Sequence, residues 1–162
     1  MNLRKFFLSF LASGSLVLGG GLIYARRVRA LMEWIVYLSL RQLGDESGDG
    51  RVSASEIYFF IWAVEKMAMR QNLRFPTFNF LARKGMLSSN RLTYIMRRMI
   101  ADGRLTVDGN YLIPAFQDEP LLNKRAQIEQ LRKIRIIIDE VSDQWSAEAS
   151  DDQLVRFGKL FR

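Results

Sequence analysis

Residues 45 to 56 read DESGDGRVSASE, a twelve-residue stretch holding four carboxylates, three hydroxyls and two glycines. Oxygen donors gathered on one turn suit a hard divalent cation. The same residues could instead start a helix, with Ser53 or Ser55 accepting from backbone N–H groups and Glu56 in the first turn. The 162 residues contain no Cys and no His, which removes thiol nucleophiles, disulfides, thiolate or imidazole metal sites and an imidazole base. Paired carboxylates or a Ser/Lys pair remain chemically open, but no motif places such groups together. The expectation is a protein that binds rather than converts. The absence of Cys also fits a reducing compartment.

The stretch resembles the EF-hand calcium-binding loop over all twelve positions. The resemblance implies calcium held by side-chain oxygens of Asp45, Ser47 and Asp49, the carbonyl of Arg51, Ser53 directly or through water, and a bidentate Glu56. Gly50 falls where the loop turns sharply, and Val52 where such loops form a short strand. The flanks fit helix, loop, helix: residues 31–43 are apolar at helical spacing, and Ile57, Phe60, Ile61 and Val64 follow the same rule. Two features depart from the pattern. Gly44 stands where the entering helix normally carries an apolar residue, and the chain has no second loop to pair with the first.

Charge points to a second surface. Residues 57–107 contain nine basic and two acidic residues, an excess equal to the net charge of +7 for the whole chain. Such a window is the footprint of an anionic partner, nucleic acid or lipid headgroups, unless it is only a solvated surface. Residues 56–114 resemble the winged helix-turn-helix family. On that resemblance the first helix runs to about Asn72. Pro76 sets an extended approach, and Thr77 caps a short second helix ending at Gly85. Ser88 or Ser89 caps a third helix running to Ala101, with Leu92, Ile95, Met96 and Met99 on its inner face and Gly103 just past its end. Two β-prone runs around Asp108-Gly109 would form the wing. The third helix would present Asn90, Arg91, Tyr94, Arg97 and Arg98 outward, side chains of the kind that reach base edges and phosphates, although winged helices also dock proteins.

These sites need elements to hold them. Phe6 to Ala25 is a run of 20 residues without a charge, which as a helix spans the ~30 Å hydrocarbon core of a bilayer. It follows a basic leader, residues 1–5. A cleavable signal peptide is the rival reading, but the run is long for one and Ile23 suits cleavage after Ala25 poorly. A retained anchor is expected. Arg26, Arg27 and Arg29 after the run, against Arg4 and Lys5 before it, favour a domain on the cytoplasmic side. A bacterial inner membrane is favoured, with the mitochondrial inner membrane as the alternative because no acidic residue precedes Glu33. Beyond the acidic linker around Pro120, Leu131, Ile134, Ile138, Val141 and Trp145 recur at heptad spacing, expected to pack on the domain rather than form a coiled coil. A last helix is expected from Ser150.

The chain therefore divides into a leader (1–5), a transmembrane anchor (6–25), an entering helix with its loop (26–55), a winged-helix-like domain (56–114) and C-terminal helices (115–162). The fold class is mainly α: a transmembrane helix, an EF-hand-like helix-loop-helix and a winged-helix-like domain with a small β-hairpin. The functional expectation is a membrane-anchored regulatory or adaptor protein that binds calcium and a protein partner. An accessory structural subunit of a membrane complex and a membrane-tethered DNA-binding factor are the alternatives. Self-association could run through the anchor or residues 131–145.

Overall fold

The computed structural model describes residues 3–83, 86–115 and 125–147, with side chains described for 25–82, 87–115 and 128–145. The protein is mainly helical, with small antiparallel sheets. Helix α1 spans Leu3–Ser47 without a break, so the uncharged run expected as an anchor and the entering helix belong to one rod. The expected anchor lies, except for Ala25, outside the residues whose side chains are described. Among the described residues, no helix is long and apolar enough to cross a membrane. The expected helix from Ser150 also lies outside the described residues.

Strand β1 (Val52–Ser53) follows the loop, and helix α2 (Ala54–Arg70) starts at once. Ser53 is its N-cap, accepting from the backbone N–H of Glu56 at 3.2 Å, so the capping chemistry open to this serine is realised. Helix α2 ends at Arg70, two residues before the expected point.

The short second helix expected from Thr77 to Gly85 is not formed. The chain instead runs extended into strands β2 (Leu81–Arg83) and β3 (Met86–Ser88), which pair in register Leu81↔Ser88, Ala82↔Leu87, Arg83↔Met86. The cause is a bond distant in sequence. Glu65 of α2 is buried, and its carboxylate accepts from the Phe78 N–H at 2.8 Å and the Thr77 hydroxyl at 3.2 Å. The Thr77 hydroxyl in turn accepts from the Asn79 N–H, and Asn79 takes a positive φ of 54°. Thr77 makes a tight turn here, and the Phe78 ring drops into the core.

Helix α3 (Asn90–Ala101) has Ser89 as its N-cap, with Gly103 just beyond its end at φ 71°. Leu92, Ile95, Met96 and Met99 are buried, as their spacing requires. Strands β4 (Leu105–Asp108) and β5 (Tyr111–Pro114) form a hairpin whose Gly109 turns at φ 61°. Strand β1 adds to β5 through Val52↔Leu112 and Ser53↔Tyr111, giving a three-stranded sheet of order β1-β5-β4. Helix α4 (Arg125–Ala147) buries Ile134, Ile137, Ile138 and Val141 in the same core as Ile35, Val36 and Leu40 of α1 and Phe60, Ile61 and Val64 of α2. The heptad seam is thus spent inside the chain.

Candidate functional site

Three regions position the residues singled out by type and spacing. The first is the loop after α1. Helix α1 runs on through Ser47, and Gly48 and Gly50 both take positive φ, 75° and 71°. Gly50 therefore turns at the place where the calcium-loop pattern wants a glycine. The Gly50 N–H donates to the Gly44 carbonyl at 3.2 Å. A Cβ on Gly44 would stand 3.3 Å from the Gly50 backbone, so the residue that departed from the pattern is the one that lets the loop fold back onto the helix.

Inside this turn the Ser47 hydroxyl lies 2.8 Å from Asp49 Oδ1 and 3.2 Å from the Arg51 carbonyl. The Arg51 N–H also donates to Asp49 Oδ1, at 2.9 Å. That backbone bond, with the Ser47 hydroxyl second, holds the Asp49 carboxyl below its usual pKa, although the group is fully exposed. The donors of Ser47, Asp49 and Arg51 thus converge. Those of Asp45 and Glu56 do not join them: Asp45 lies 3.8 Å from Arg41, and Glu56 accepts from the Trp145 indole N–H at 3.4 Å. Ser53 is occupied as a cap. Among the described residues no group of three or more carboxylates is gathered for a metal, so these residues fit a calcium shell only in part. The loop is wired to the hairpin by the Arg51–Asp108 ion pair at 3.0 Å and by the Ala54 N–H donating to the Asn110 carbonyl.

The second region is the outer face of α3. Asn90, Arg91, Tyr94 and Arg97 are exposed, Tyr94 by 56%. Arg91 donates to the Thr77 carbonyl at 2.9 Å, which uses one of its five N–H groups. Arg98 is exposed as well, but unlike the others it is held in ion pairs. Its Nε lies 3.6 Å from Glu33 and 3.8 Å from Asp102. Glu33 of α1, only 15% exposed in its side chain, also binds Arg104 at 2.8 Å, and Arg104 reaches Asp102 at 2.9 Å. Burial works against the charge on Arg104, and the bonds to Glu33 and Asp102 outweigh it, so its pKa is raised. Arg98 is recruited because a half-buried carboxylate at the α1–α3 contact needs cationic neighbours.

The third region was not anticipated. A groove of about 900 Å³ opens between the middle of α1, the non-helical segment before β2, the start of α3 and α4. Val28, Leu31, Ile95 and Leu131 give it apolar walls, Trp34, Phe75 and Tyr94 are aromatic, and Arg27, Arg29, Arg74 and Arg91 line it with charge. Among the described residues no carboxylate pairs with these four arginines, whereas Arg41, Arg51, Arg98 and Arg104 each have one. The arginines after the uncharged run were the one sequence signal for it; Arg74 and Phe75 join through a non-helical segment that Glu65 holds at Thr77 and Phe78 and that Gln130 of α4 holds by donating to the Arg74 carbonyl at 2.8 Å. In comparison with known proteins, no family model, no curated protein and no solved structure matches the chain.

Proposed function

We propose that the chain is a membrane-anchored, non-catalytic adaptor that grips a protein partner with the outer face of α3. The observation that carries the reading is that Asn90, Arg91, Tyr94 and Arg97 stand exposed on one helix face with no carboxylate partner among the described residues. Exposed aromatic and arginine side chains are the usual anchors of an interface, and Arg91 gives only one N–H to the Thr77 carbonyl. The winged-helix layout is supported by three helices packed on a hairpin with a third strand, with α1 as first helix in place of α2. The anchor is residues 6–25 and the domain faces the cytoplasm; support comes from the length of the uncharged run and the continuity of α1.

Calcium is the proposed ligand of the loop, supported by the convergence of Ser47, Asp49 and Arg51 and by the turn at Gly50. Asp45 and Glu56 would have to leave Arg41 and Trp145 to complete the shell. Because Arg51 also holds Asp108, a cation there would act on the hairpin beside α3.

The test is charge reversal at Arg91 and Arg97 in the full chain, followed by affinity capture from the native membrane. The partner identified with the wild-type chain should be lost while far-UV circular dichroism stays unchanged. A partner retained by the variant removes the α3 face from the proposal. A second reading, an accessory subunit of a larger membrane complex, is favoured by Ile128 and Ile136, which α4 leaves 52% and 49% exposed.

A further inference from the structure

We infer that the groove between α1, α3 and α4 is a binding site for the phosphate headgroup of an anionic lipid in the bilayer that carries the anchor. The inference rests on the anchoring reading above. Its independent observations are position and unmatched charge. The groove is walled by α1 from Ala25 onward, the residue at which the uncharged run ends. Helix α1 continues through that point without a break. At 1.5 Å per residue Arg29 lies about 6 Å beyond the run, within the headgroup layer, and Trp34 about 13 Å beyond it. Arg29, Arg74 and Arg91 come from three separate elements and converge on one groove, and none of them has a carboxylate within ion-pair distance among the described residues; the nearest acid to Arg29 along α1, Glu33, is held by Arg98 and Arg104. Guanidinium groups bind phosphate bidentately, and Arg91 keeps most of its N–H groups for that purpose. Tyr94 adds an aromatic ring of the kind enriched at a membrane surface, and Trp34, deeper along the rod, adds to the apolar wall. The apolar walls would follow the glycerol and the first methylenes of the lipid. A nucleic acid would find charge here but no reason for an apolar floor.

The experiment uses the full chain in detergent micelles titrated with phosphatidylglycerol or phosphatidylcholine, with bound lipids counted by native mass spectrometry. Wild-type protein should retain phosphatidylglycerol in preference to phosphatidylcholine. Arg29→Gln with Arg74→Gln should weaken that retention about 25-fold, fivefold per arginine, the ~1 kcal/mol that each basic group contributes near an anionic surface. Arg41→Gln, outside the groove, should change nothing. Phosphatidylglycerol retained equally by the double variant overturns the proposal. Competition by millimolar glycerol phosphate with no lipid preference would assign the groove to a soluble phosphate and overturn it as well. So would binding of a short DNA duplex that the double variant loses, with no lipid preference in the wild type. Alkaline carbonate extraction of membranes reads the anchor separately: a chain that washes off defeats both readings, and one that stays while showing no lipid preference defeats only this one.

Discussion

Gly50 and Asp49 isolate two energies in the loop. A Cβ at Gly50 meets nothing within 4 Å, so Gly50→Ala tests only the positive φ of 71°. A loss of about 1–2 kcal/mol is expected by urea denaturation, the strain of an L side chain in the left-handed region. Asp49 has its pKa depressed by the Arg51 N–H and the Ser47 hydroxyl. A depressed carboxylate stabilises the fold above its unfolded pKa, and that contribution is lost as pH falls through the lower folded value. The Asp49 side chain should therefore titrate by NMR with a midpoint under 3.8, and Asp49→Asn should flatten the acid limb of stability. For calcium, calorimetry of the full chain in detergent should give binding at the weak end of the sensor range, about 10⁻⁵ M or poorer for an unpaired loop. Glu56→Gln should remove most of that heat while keeping an oxygen for the Trp145 indole. No heat in the wild-type chain would leave these acids as caps and ion-pair partners.

Among the elements, the segment 73–80 shows best where local signals mislead. Pro76, Thr77 and Gly85 carry good marks for a short helix, yet the buried Glu65 decides the matter from twelve residues upstream of Thr77. Glu65→Leu should leave the Phe78 N–H buried without an acceptor and cost about 2–3 kcal/mol. Hydrogen exchange would find the Phe78 amide deprotected ahead of α2. Helix α3 was legible by contrast, because its cap, its four buried positions and the glycine beyond its end are all local. Strand β1 was not: it has two residues, and its partner lies some sixty residues on, so only topology can disclose the pairing. The loop glycines and serines were legible as a turn. That Glu56 faces another partner was not, because Trp145 sits on α4, 89 residues on; the Arg41–Asp45 pair, one helical turn apart, was open to a local reading. Arg98 likewise reads as a free cation until Glu33 is brought beside it.

At the scale of the molecule, Glu33 joins α1 to α3 and to Arg104, in the turn between α3 and β4. Glu33→Ala would leave the part-buried Arg104 and the exposed Arg98 sharing Asp102, and a loss of about 1–2 kcal/mol, nearly all of it from Arg104, is expected by thermal or urea unfolding of the full chain. A loss under 0.5 kcal/mol would mean that the cluster behaves as an exposed pair. The surface charge has its own signature. If DNA rather than protein were the partner of α3, log affinity would fall with log salt by roughly 0.9 for each phosphate neutralised, and a flat salt response would remove that alternative.

Helix α1 is 45 residues long and without a hinge, and Met32, Ile35, Val36, Leu40 and Leu43 along it form a wall of the core. The domain accordingly does not dangle; it is mounted. From Ala25 to Asp45 the rod rises about 30 Å, so on the proposed anchoring the loop stands at a set height from the bilayer, and tilt or axial rotation of the rod turns the whole domain with it. A flexible Gly-Ser insert after Arg26 would uncouple the two. It should leave the core's melting temperature unchanged yet broaden the distances measured by spin labels between Asp45 and the membrane surface. Any partner seated on α3 would then lose a fixed orientation while keeping every contact residue it had.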